Sequence, residues 1–181
     1  MIIKKFEDSE KRRIERIIAR HPHIHKKLEN VIISPLKQTG RHRINSKGGK
    51  LSYVYATTET YDKRPSKYTH KDNKYLKTYL YLNKEAMHRH PGELEETILH
   101  ESCHCAQHKR DIESGAIHKP HKMADSIKAE REAINFASRR PTLLNPWRVI
   151  HNARSSVNLQ QLKESEEKYH SDKRKRVMWG F

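Results

Sequence analysis

The sequence predicts an α+β fold: a small mixed sheet packed on one central helix, with additional helices around it. Three observations lead there. The stretch "YLKTYLYL" (75–82) alternates its side chains at the period of a strand. The stretch "LEETILHESCHCAQH" (94–108) repeats apolar residues at helical spacing. Amphipathic helical patterns lie on either side, in "EDSEKRRIERIIARH" near the start and "KAEREAINFA" further on.

The first pattern reads as a helix capped by Asp8 or Ser9, with Ile14, Ile17 and Ile18 on one stripe and Pro22 ending it. "VIIS" (31–34) reads as a short strand. Gly48-Gly49 lies between two extended runs, a hairpin signal, and Leu51, Tyr53 and Tyr55 alternate along the second run. Residues 58–74 are polar and read as a loop. In 75–82, Leu76, Thr78, Leu80 and Leu82 share one face and Tyr75, Lys77, Tyr79 and Tyr81 the other. Pro91-Gly92 opens the central helix, expected to run to about His108. A loop leads to a helix from about His121 to Ser138, and Pro141 and Pro146 break the chain. A last amphipathic helix is expected after Trp147, using Ile150, Ala153, Val157 and Leu162, before the basic tail "SDKRKRVMWGF". The expected organisation is a domain over residues 1–140 with an appended helix and tail over 141–181, within the length of one domain plus an appendage.

The 181 residues are 34% hydrophobic and 33% charged, with a formal net charge of +16. Residues 1–50 alone hold 14 Lys and Arg against 5 acids. Such a surface attracts polyanions, with a plain solvated basic surface as the alternative. The two cysteines, Cys103 and Cys105, lie two apart on a helix and point away from each other, so they cannot bridge. No disulfide framework follows, and an intracellular setting is expected, cytoplasmic or nuclear. The charged start "MIIKKFEDSEKRR" is no signal peptide, and no apolar run is long enough to span a membrane.

His100, Glu101 and His104 form H-E-x-x-H. Positions i and i+4 stack on one helix face, so two imidazoles can grip one Zn²⁺ from a single rigid element. Glu101 follows His100 by about 100° of rotation, beside the ion, where a general base would act on metal-bound water. Leu94, Ile98, Leu99, Cys103, Cys105 and Ala106 fill the arc away from the histidines, so the back of the helix is buried and its polar face kept for a site. Both cysteines read as packing residues. His108, one turn beyond His104, reads as a rim histidine. The pattern is that of a zincin-like metalloprotease, with a strand before the helix as the substrate-binding edge, most naturally 75–82.

A catalytic zinc takes three protein ligands and an open position. Two candidates present themselves for the third. His118 stands fourteen residues after His104 in a loop long enough to turn back, with His121 a weaker version of the same idea. Glu130 is the one charged member of a stripe formed by Met123, Ile127, Ile134 and Ala137, so it points where apolar residues point, and a buried carboxylate needs a partner. Glu132 lies off the stripe and reads as surface.

The segment "YLKTYLYLNKEAMHRHPGELEETILHESCHCAQ" resembles the core of SprT-like (Spartan-type) metalloproteases. Those have an "I-x-L" strand, a Leu-rich turn, a Pro and a "T-L-L-H-E-x-x-H" helix. The matching residues are Tyr79, Leu80 and Leu82, then Met87, Pro91 and Leu94, then Thr97 to Glu101 with His104. "SPLKQTGRH" is similar to the family's "L-x-x-T-x-G" entry. The family's "H-G-P-x-F", whose histidine is a zinc ligand, corresponds to His118-Lys119-Pro120-His121-Lys122, matching in histidine and proline only. No cysteine follows Cys105, so the zinc ribbon that many of these proteins carry has no counterpart here. The resemblance implies zinc-dependent proteolysis of proteins bound to or crosslinked onto DNA. The DNA-contact candidates are basic residues in 1–50 and Lys173 to Arg176, with Tyr53, Tyr55 and Trp179 as stacking groups. A rival resemblance links Glu130, Ala133, Phe136 and Ala137 to the "E-x-x-A-x-x-F-A" glutamate helix of ImmA/IrrE-type zinc peptidases, which implies Glu130 as the third ligand. A further class of function is a non-enzymatic, basic nucleic-acid-binding module whose zinc is structural and closed by four protein ligands.

Overall fold

The computed structural model of the chain describes residues 1–36, 43–45, 51–53, 55–63, 75–89, 93–115 and 123–138, with the helical residues 160, 163, 164 and 167. It is a mixed α+β molecule. In chain order the elements are β1 (Ile2–Ile3), α1 (Asp8–Arg20), a 3-10 turn (Pro22–Ile24), β2 (Ile32–Pro35), β3 (Arg43–Asn45), β4 (Leu51–Tyr53), β5 (Ala56–Asp62), β6 (Leu76–Leu82), α2 (Lys84–Arg89), α3 (Glu93–Glu113) and α4 (Met123–Ser138).

The main sheet has the order β1-β2-β6-β5, with β1 and β2 parallel, β2 and β6 parallel, and β5 antiparallel to β6. β3 and β4 form the expected hairpin, pairing Asn45 with Leu51. One face of the main sheet carries Ile33, Leu80 and Leu82, fully or almost fully buried with Ile14, Ile17 and Ile18 of α1 and Leu94, Ile98 and Leu99 of α3. The opposite face carries Tyr61, Tyr79 and Tyr81; the last two rings stack with 5.5 Å between centroids.

Three expectations change. β6 is not an edge strand: β2 pairs with its residues 79–82 and β5 with 76–82, so the edge beside the long helix is β5. Residues 58–62, expected as loop, belong to that strand. Their inward side chains are Thr58 and Thr60, whose hydroxyls bond to α3, so the strand has β-branched residues without an apolar alternation. α1 begins at Asp8 with Glu7 as its cap residue, because Glu10 Oε2 reaches back to accept the Glu7 N–H at 2.9 Å.

α3 runs five residues past His108, and ion pairs fix its place. Glu95 accepts from Arg20 at 2.7 Å and from His21 at 2.5 Å, tying the end of α1 to the first turn of α3. Buried Glu10 takes Lys84 at 2.9 Å and His88 at 3.1 Å, tying α2 to α1. Burial opposes the charged form of Glu10, yet Lys84 and the Glu7 amide hold its pKa below the usual value. Among the described residues, no helix is long and apolar enough to cross a membrane. The helix expected after Trp147 and the basic tail lie outside the described residues, apart from the four helical positions named above.

Candidate metal centre

The centre is built by two helices and one strand. α3 supplies His100, Glu101 and His104 from consecutive turns, and the two imidazoles meet edge to face with centroids 4.9 Å apart. Their Nε2 atoms are 3.1 Å apart. α4 crosses α3 and brings Glu130 over the pair. Its Oε1 lies 3.4 Å from His100 Nε2 and its Oε2 lies 3.2 Å from His104 Nε2. The stripe seen in the sequence accounts for this orientation: Ile127 and Ala137 are buried and Ile134 is half-buried, with Ala133 buried beside them.

These distances test the donor set. Four ligands held tetrahedrally at about 2.0–2.1 Å from zinc stand about 3.3 Å from one another. The two Nε2 atoms, 3.1 Å apart, are near that edge, and the carboxylate presents a different oxygen to each ring, Oε2 to His104 at 3.2 Å and Oε1 to His100 at 3.4 Å. Two imidazoles and a carboxylate are also an ordinary catalytic zinc set. Among the described residues, His100, His104 and Glu130 are the group of metal-ligating side chains that could hold an ion, with ligand atoms all within 4.8 Å of one another.

The electrostatics fit a cationic occupant. Burial works against the charged form of His104, but the Glu130 carboxylate and the Glu101 charge outweigh it and raise its pKa to about 9. Burial likewise opposes ionised Glu130, yet contact with the two imidazoles holds its pKa well below the carboxylate range. Without metal, a proton on His104 supplies positive charge beside the carboxylate.

Glu101 is buried, and Thr58 of β5 donates its hydroxyl to Glu101 Oε2 at 2.7 Å. Thr58 escaped the sequence reading because 58–74 looks like loop; the one available signal was the β-branched run "TTETY". Thr60 bonds His108 Nδ1 at 2.7 Å, which places His108 in the contact between α3 and β5. Gln107, also unremarked in the sequence, lies against His104: its Oε1 is 2.6 Å from His104 Nδ1. Cys103 and Cys105 are buried packing groups, their thiols pushed up by burial to about 11 and about 12. Glu132 is on the surface, as expected, paired with Arg110 at 2.9 Å. His118 and His121 lie outside the described residues, as do Lys173 to Arg176 and Trp179.

No protein-family model matches the chain, and no curated protein and no solved structure matches it. The functional reading therefore rests on the geometry of these side chains.

Proposed function

We propose that the chain is a zinc-dependent metallopeptidase, with His100, His104 and Glu130 holding the metal and Glu101 as general base. The observation that carries the reading is the convergence of two imidazoles and a carboxylate, with one ligand atom from each all within 4.8 Å of one another, as a catalytic zinc set requires. Glu130 in this position supports the ligand set that the ImmA/IrrE-type resemblance implies.

Bound zinc would supply an acidified water and polarise the scissile carbonyl. The chain's own groups do the rest. Glu101 takes the proton of the attacking water and hands it to the leaving amine. Thr58, donating to Oε2, restrains the Glu101 carboxylate. The substrate backbone lies extended along β5, which has β6 on one side and, among the described residues, no strand on the other.

The test is zinc uptake and proteolysis together. Stripped protein should take up one zinc per chain and cleave an unstructured protein substrate only when loaded. Chelator-insensitive cleavage, or no zinc uptake, would remove the reading. The charge of +16 favours work beside a polyanion, so DNA-bound proteins are the substrates proposed.

A further inference from the structure

We propose that Gln107 is a positioning residue that sets the tautomer of His104. Its side-chain amide is bonded at both ends. The Nε2 group donates to the Ala129 carbonyl at 2.9 Å and to Glu132 Oε2 at 3.1 Å. Both partners are oxygens that only accept, so the NH₂ must face α4 and the amide oxygen must face His104. That oxygen lies 2.6 Å from His104 Nδ1. A carbonyl oxygen has no hydrogen to give, so the imidazole carries its hydrogen on Nδ1. The lone pair of neutral His104 is then on Nε2, the atom 3.2 Å from Glu130 Oε2. The inference rests on the metal reading above and adds how the ligand is prepared for it.

Ala129 immediately precedes Glu130 in the chain. The turn of α4 that delivers the Glu130 carboxylate thus also anchors the amide that orients His104. Two hydrogen bonds register α4 on α3, the tautomer follows, and the ring is held against rotation while the site is empty. Gln107 is buried, which shields the relay from water.

The alternative is that Gln107 is only a tie between the helices, and two variants separate these roles. Gln107→Met fills similar space without donor or acceptor. Gln107→Glu loses the NH₂ that ties α4 but keeps an oxygen for Nδ1. Zinc affinity is measured by chelator competition on proteins whose circular dichroism matches the parent. Gln107→Met should bind zinc about 10–100-fold more weakly, and Gln107→Glu should recover most of the loss. Equal losses in both would reduce Gln107 to a helix tie, and parental affinity in Gln107→Met would overturn the proposal outright. Nitrogen NMR on the zinc-loaded parent gives an answer without any variant: His104 should show a hydrogen-bonded N–H at Nδ1 and metal at Nε2, and metal at Nδ1 refutes the tautomer. A parent that takes up no zinc fails differently, because it sinks the metal reading and this inference with it.

Discussion

Glu101 and His104 sit a turn apart on α3 and meet opposite demands. In the proposed site His104 would offer a lone pair to the metal, and Glu101 would act as the base beside it. Glu101→Gln keeps the shape and removes the base. Zinc content should stay at the parental level by elemental analysis while turnover falls at least about 10²-fold; turnover at the parental rate would reject the mechanism. Thr58→Val removes the hydroxyl at 2.7 Å from Oε2 and nothing else of that size. Zinc should again be retained, with kcat lower by on the order of tenfold, the equivalent of one hydrogen bond worth about 1.4 kcal/mol. A kcat unchanged in Thr58→Val would mean that β5 does not restrain the base.

At the scale of elements, the centre exists because α4 lies across α3. Glu130→Ala should abolish stoichiometric zinc binding, whereas His118→Ala should leave it within a few-fold of the parent. The reverse result, read by the same metal analysis, would assign the third ligand to His118. The sheet beneath matters through packing. Leu80, fully buried at the centre of β6, touches the core shared with α1 and α3. Leu80→Ala should cost about 2–5 kcal/mol in denaturant unfolding, through lost burial and the cavity left behind.

The whole molecule couples the centre to protons. In zinc-free protein His104 titrates at about 9, above its ordinary value of 6.5. A raised imidazole pKa gives stability that is fully present below pH 6.5 and is lost as the pH rises through about 9. Glu130 is depressed, so its contribution is present above its ordinary 4.5 and is lost as the pH falls toward its lower folded value. Thermal unfolding of the chelated protein should therefore show Tm falling between pH 6.5 and 9. Zinc affinity should rise over the same interval, since the metal must displace a proton. A Tm that rises across that interval would contradict the His104–Glu130 pairing. The net charge of +16 carries a separate expectation: binding to DNA at low salt that weakens steeply as salt increases.

What the sequence alone determined is local in origin. An H-E-x-x-H helix needs only a 3.6-residue turn to place two imidazoles on one face, so His100, Glu101 and His104 were legible as a unit. The inward aim of Glu130 was legible from Ile127, Ile134 and Ala137 on its stripe, and the two faces of β6 from its alternation. Tertiary structure decided what those faces meet. Periodicity reports which side of an element is buried and says nothing of its neighbour. Hence β6 gained β2 and became central, and β5 took the edge. Glu130, not another carboxylate, crossed to the histidine pair. Thr58 and Thr60 gave no apolar signal because their hydroxyls bond to Glu101 and His108, partners over forty residues away in the chain. Gln107 reads as a polar helix residue until Ala129 and Glu132 of α4 close on its amide, which is a fact of two helices and not of either one.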